Sequence, residues 1–382
     1  MRHDPERISL LKRLFQRVMA LPLLPECLAA LTHSEATILM AHRFCDPDLG
    51  ISGCDPQNLR RILAELRKRR YDLISVGEIF RRLRDCEALG RAVAFTIDDG
   101  YADVATIAPV FADFDCPATV FAVTDFLDGA MWFWWDKIEY ICRETRCAEF
   151  RARLGEECFY FRRVDKAAGA DWHALMNRCY RASAEARIAC INELSASAEV
   201  ALPVRPPARY RPLTWDEARV LESKGITFGP HTLTHAVLST LSDEESEREI
   251  AGSWQRVRAE VSRPAPIFCY PGGELTDFGT REIATMRRIG LWAATTGKPG
   301  NLRSKCFQDS TVQWYRTPRC PYRDTLPEVL QCLSGVERLK AQLSQRQAPA
   351  LRRERSYFDA VTETVASGAS STPALHGSTE KE

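Results

Sequence analysis

The chain has 382 residues, 45% apolar and 27% charged, ordinary for a globular protein and enough for a sizeable core. With 52 basic and 51 acidic side chains the net charge is +1, which gives no basic stripe of the kind a nucleic-acid-binding face needs. No run of about 18 apolar residues occurs, so no segment is expected to span a bilayer; no clear signal peptide is visible, and the fourteen cysteines are irregularly spaced without a CxxC pair, so reduced thiols in the cytoplasm are expected.

In residues 1–35, Ile8, Leu11, Leu14, Phe15 and Val18 recur at helical spacing among Arg and Lys, and Pro22, Pro25 and Glu26 then interrupt the apolar pattern. The segment reads as an amphipathic helix packed on the domain, with peripheral membrane contact as the alternative. Residues 36–42 form a short buried strand ending at His42. A helix over 56–70 places Leu59, Ile62, Leu63 and Leu66 on one face. Strand 73–76 and helix 77–86 follow. The run Val93 to Ile97 within 91–100 suits a strand buried on both faces of a parallel sheet. A helix to about residue 112 and a strand at 118–123 continue the rhythm.

Residues 128–210 depart from it and read as an inserted helical subdomain, opening on the aromatic run Met131 to Trp135 and ending in a proline- and arginine-rich linker. Trp132, Trp134 and Trp135 fit core packing of this insert, with a sugar-stacking platform as the alternative. Strand–helix alternation then resumes with helices at 214–224, 243–262 and 279–289 and strands at 226–229, 266–271 and 291–296. About seven such units imply parallel strands and favour a barrel over an open sheet, spanning 36–344 with the insert inside it. From about 345 the chain is polar and expected to be disordered.

Three motifs sit at expected strand ends, where α/β barrels build their active sites. In Thr96-Ile97-Asp98-Asp99-Gly100, two adjacent carboxylates repel each other unless a cation neutralises one; alone, the motif reads as well as a solvated acidic turn. In His231-Thr232-Leu233-Thr234-His235, an i, i+4 histidine pair on one helix face can grip a metal ion. No Glu stands between them in the manner of HExxH. In Phe268-Cys269-Tyr270-Pro271-Gly272-Gly273, proline and glycine fix a tight turn whose N–H groups could face an oxyanion.

Together the three stretches resemble the polysaccharide deacetylase family with the NodB homology domain, which carries T-F-D-D-G, H-[ST]-x-x-H and R-x-x-Y-P-x-G-like motifs in this order on a distorted (β/α) barrel. The resemblance covers about 36–330. It implies hydrolysis of the N-acetyl group of an acetamido sugar, with Asp98 as general base, Asp99, His231 and His235 as metal triad, and the backbone at Tyr270 as oxyanion donor. Zinc suits one carboxylate and two imidazoles, with cobalt, nickel and manganese as alternatives. Two departures stand out. Cys269 replaces the arginine of the third motif, and the family's late Leu-x-His acid is missing, since the only histidine after His235 is His376. Arg319 is the candidate to orient Asp98, and His42 the candidate acid. His3, His33 and His173 lie outside any motif. The competing functions are hydrolysis of a small non-sugar amide and glycan binding without catalysis.

Overall fold

The structure, a computed structural model, describes residues 21, 23–32, 35–162, 170–308 and 310–336. Most of the expected N-terminal helix, the expected disordered tail, and His3, His33 and His376 lie outside the described residues. Among the described residues no helix is long and apolar enough to cross a membrane.

The centre is a parallel sheet. Its strands are β1 (Ala36–Ala41), β2 (Asp72–Leu73), β3 (Ala92–Asp99), β4 (Ala118–Ala122), β7 (Ile226–Pro230) and β10 (Cys320–Pro321), in the order β10-β1-β3-β4-β7 with β2 also against β3. All eight residues of β3 are buried, as its unbroken apolar run predicts. β1 covers one edge of β3, from Ala36 opposite Ala92 to Ala41 opposite Ile97. The other edge is shared between β2 at Ala92 and Val93 and β4 from Phe95 to Asp99. β2 is shorter than the expected 73–76, because Ser75 caps the helix Val76–Arg84 by accepting from the Glu78 N–H.

β8 (Ile267–Cys269) and β9 (Ala293–Thr295) form a second parallel pair. Single parallel bridges, Phe228 to Pro264 and Thr295 to Thr317, connect this pair to β7 on one side and to the segment entering β10 on the other. The strands thus follow one another in ring order, in the manner of a distorted (β/α) barrel joined at two places by single bridges. Helices flank them. The helix Pro56–Lys68 starts on Pro56 behind the Asp55 cap and buries Leu59, Ile62, Leu63 and Leu66, the predicted face.

Residues 134–200 build a core of their own, in which Ile138, Ile141, Phe150, Trp172, Leu175 and Leu194 pack together. This region is not all helical. Between the helices Trp134–Glu144 and Ala170–Arg181 lies an antiparallel hairpin of β5 (Glu149–Leu154) and β6 (Glu157–Arg162). Its first strand alternates charged outward residues with buried Phe150 and Ala152, a period of two that neighbouring helical periodicity masks. Trp132 is only 4% exposed and packs against Tyr140 and Tyr210. It is a core residue and offers no face to a glycan. His173 lies half-buried on the helix Ala170–Arg181.

Candidate active site

The strand ends converge on one buried cluster. β3 delivers Asp98 and Asp99 at its last two positions. Adjacent strand side chains ordinarily point to opposite faces. Here Asp99 has φ +74° and Gly100 φ +92°, so the strand ends in a left-handed turn and both carboxylates stay buried. A Cβ on Gly100 would stand 2.6 Å from Leu127 Cδ1, so the turn admits no side chain there without displacing Leu127.

His231 and His235 follow β7 in a non-helical turn, which corrects the expected shared helix face. Thr232 and His235 have φ +66° and +61°, and these reversals bring the two rings to 4.8 Å between centroids with planes 85° apart. The buried Glu249 carboxylate holds the turn, accepting from the Leu233 N–H (2.8 Å), the Thr234 N–H (3.0 Å) and the Thr234 hydroxyl (2.7 Å). Nothing in the sequence marks Glu249, which lies among many acidic residues of the helix Asp243–Glu260.

The Nε2 atoms of His231 and His235 lie 3.8 and 3.5 Å from Asp99 Oδ1, and one donor atom from each residue falls within 4.8 Å of the others. Ligands at about 2.0–2.1 Å on a tetrahedral ion stand roughly 3.3–3.4 Å apart, so the three fit one cation with small adjustment. The protonation states agree. Burial pushes the His231 imidazole down to about 4 and His235 well below its ordinary value, so both rings are neutral with lone pairs to give. His231 Nδ1 lies 2.8 Å from the Cys269 carbonyl, so Nδ1 carries the hydrogen and Nε2 the lone pair. Burial, then the charges of Asp98 and Asp136, hold Asp99 well above the carboxylate range. Its buried Oδ1 has no hydrogen-bond donor among the described residues. A cation would satisfy that oxygen and reverse the shift.

Asp98, His231 and Cys269 form an alternative ligand group. Asp98 is already committed, however. Arg319 Nη1 donates to Oδ1 at 2.7 Å and Nη2 to Oδ2 at 2.8 Å, and the same guanidinium reaches the Thr296 carbonyl (3.0 Å), the Thr96 hydroxyl (3.1 Å) and Cys269 Sγ (3.1 Å). Burial opposes ionisation of Asp98, but the Arg319 charge and hydrogen bonds override it and hold the carboxyl well below its usual range. Two paired oxygens leave Asp98 outside the cation triad. The compact Cys269 thiol leaves room for the guanidinium beside it.

His42, directly after β1, places Nε2 3.8 Å from Asp98 Oδ2. Burial lowers its pKa more than the Asp98 charge raises it, so the ring rests neutral. Tyr270 differs from expectation. Its N–H donates to the Thr295 carbonyl at 3.2 Å in the β8–β9 pairing, and its ring stacks on Phe278 at 3.6 Å. The amide that the resemblance assigns to an oxyanion thus has a ladder partner in this structure. Trp135, which the sequence assigns to core packing or a sugar platform, has its ring against that of His235 at 4.9 Å, a contact no sequence signal announces.

The fold is of the (β/α)-barrel type, and at its strand ends Asp99, His231 and His235 form a group that could hold a metal ion beside the Asp98–Arg319 pair. A sequence model of the polysaccharide deacetylase family matches residues 172–291, about a third of the chain, and this stretch is similar to those deacetylases. The matched stretch holds His231, His235 and Tyr270; His42, Asp98, Asp99 and Arg319 lie outside it. The Streptococcus pyogenes deacetylase PplD in complex with acetate superposes with a TM-score of 0.50 at 15% identity, covering 78% of this chain and 97% of that one. This likeness speaks for the shared fold. The structure of IcaB from Ammonifex degensii gives 0.47 at 14% identity over 79% and 98%. BC0361, a polysaccharide deacetylase from Bacillus cereus, gives 0.48 at 16% over 78% and 68%. Among curated protein sequences none matches the chain.

Proposed function

We propose that this protein is a metal-dependent N-deacetylase of an acetamido sugar, within a polysaccharide, an oligosaccharide or a precursor. The observation that carries this reading is the pairing of two differently treated carboxylates. Asp99 faces two neutral imidazoles, and its neighbour Asp98 is clamped by Arg319. Asp99, His231 and His235 would hold the ion, with zinc the first choice and cobalt, nickel or manganese the alternatives. When bound, the ion supplies Lewis acidity that polarises the acetamide carbonyl and acidifies water.

Asp98 is the general base. A carboxylate held this low is a weak base, so it is matched to a water that is already acidified. Arg319 keeps it ionised and fixes both oxygens in one plane. His42, neutral at rest, takes the proton from Asp98 Oδ2 at Nε2 and gives it to the departing nitrogen. The proton lost by water thus leaves on the amine, and acetate carries the new C–O bond.

The test is incubation of the metal-loaded protein with a panel of N-acetylated oligosaccharides, with free acetate as readout. Acetate released by the wild type but not by Asp98→Asn supports the reading. No acetate from any substrate at any metal loading overturns it.

A further inference from the structure

His231 and His235 are oriented by different means. The plane of His231 is set by its hydrogen bond to the Cys269 carbonyl. His235 has left-handed backbone and no helix turn to fix its rotamer, and three rings stand nearly perpendicular to it: His231 at 4.8 Å and 85°, Trp135 at 4.9 Å and 72°, Phe133 at 5.7 Å and 75°. Trp135 lies in the helix Trp134–Glu144, which opens the region with its own core, and Phe133, the cap residue just before that helix, is buried in the main core.

The indole is itself clamped. It stacks on Phe133 at 4.3 Å with planes 10° apart. Its Nε1–H donates to the Tyr101 hydroxyl at 3.0 Å, and that hydroxyl donates to the buried Asp136 carboxylate at 2.8 Å. The Arg43 guanidinium sits 3.9 Å from the Tyr101 ring and is tied to Asp103. Tyr101 is two residues after Asp99. A closed circuit therefore runs from Asp99 along the chain to Tyr101, across to Trp135, on to the His235 ring and back to Asp99 at 3.5 Å.

We infer that Trp135 is a positioning residue through which the 134–200 region completes the metal site, holding the His235 imidazole in its ligand orientation. This rests on the metal-site reading above. The indole acts on the ligand and not on the sugar: its hydrogen bond and stacking partners fix one ring plane, and the His235 ring is packed against it. Outer-shell partners that fix a ligand ring commonly contribute about ten- to a hundredfold to metal affinity.

The experiment measures zinc dissociation constants of the full chain by competition with a chromophoric chelator. The proteins are wild type, Trp135→Ala, Trp135→Phe and Tyr101→Phe, each checked for folding by the thermal midpoint of its metal-free form. Trp135→Ala is expected to bind zinc about ten- to a hundredfold more weakly. Trp135→Phe and Tyr101→Phe remove the same hydrogen bond, so they should weaken binding by similar, smaller factors; these two carry the test if the alanine variant does not fold. At saturating zinc, kcat of Trp135→Phe should return towards wild type with KM unchanged. Unchanged zinc affinity in the folded variants overturns the inference, and a raised KM alongside it would make Trp135 a substrate platform instead. A wild type that binds no zinc overturns the metal site itself.

Discussion

Arg319 grips Asp98 through two parallel hydrogen bonds, Nη1 to Oδ1 at 2.7 Å and Nη2 to Oδ2 at 2.8 Å, with both side chains buried. Removing one partner from such a pair leaves an uncompensated buried charge, which commonly costs about 3–5 kcal/mol. Arg319→Met is therefore expected to destabilise the metal-free protein on that scale in denaturant unfolding. The double variant Asp98→Asn/Arg319→Met should recover part of the loss, because its buried amide carries no charge. A single-variant loss below about 1 kcal/mol would show that the pair is not what keeps Asp98 ionised.

The adjacent aspartates should separate by assay. Asp98→Asn leaves the cation triad intact, so metal content should stay near that of the wild type while kcat falls about a hundredfold or more, the scale of a lost general base. Asp99→Asn removes a ligand, and His231→Ala another, so both should lose metal in elemental analysis of the purified proteins. Full metal occupancy in His231→Ala would remove that histidine from the site. Equal metal loss in both aspartate variants would end the division of labour.

Much of this was legible because the chemistry clusters in short motifs at strand ends. The buried run of β3 locates Asp98 and Asp99, and proline and glycine bound the turn after Cys269. Arg319 could be nominated because the third motif lacks its arginine. What could not be read depends on backbone conformation and long-range pairing. The i, i+4 spacing of His231 and His235 suggests a helix, but left-handed residues at Thr232 and His235 bring the rings together in a turn. The Tyr270 N–H looks available in the sequence and is consumed by a partner 25 positions on, Thr295. The hairpin at Glu149–Arg162 shows its alternation only once the surrounding helices are set aside.

Glu249 shows how far the site depends on such distant partners. It is buried, and its two oxygens accept two backbone N–H groups and a hydroxyl from the turn between His231 and His235. Glu249→Ala leaves these donors without acceptors and frees the turn. The expected result is zinc affinity lowered by about tenfold or more, with Glu249→Gln intermediate, since an amide oxygen can still accept. Isothermal titration with zinc decides the matter, and affinity equal to wild type in Glu249→Ala would show that the turn holds its shape unaided.

In the proposed reaction the remaining step falls to His42. The amine of an amide leaves poorly until protonated, so a proton must reach the nitrogen. Of the described histidines, His231 and His235 face Asp99, and His173 lies on the helix Ala170–Arg181 of the region with its own core. His231 also comes within 4.8 Å of Asp98 but is tied to the Cys269 carbonyl and turned to Asp99, whereas His42 places Nε2 3.8 Å from Asp98 Oδ2. Its resting neutrality, set by burial, lets it accept the proton that Asp98 removes from water and pass it on. His42→Ala should therefore keep its metal and its affinity for substrate while losing about a hundredfold or more in turnover of amides. An activated ester needs no proton on its leaving group, so its hydrolysis by the same variant should fall by less than about tenfold. A histidine that merely packs the site would impair both substrates alike. Equal losses on amide and ester, or no loss on the amide, would take His42 out of the proton path.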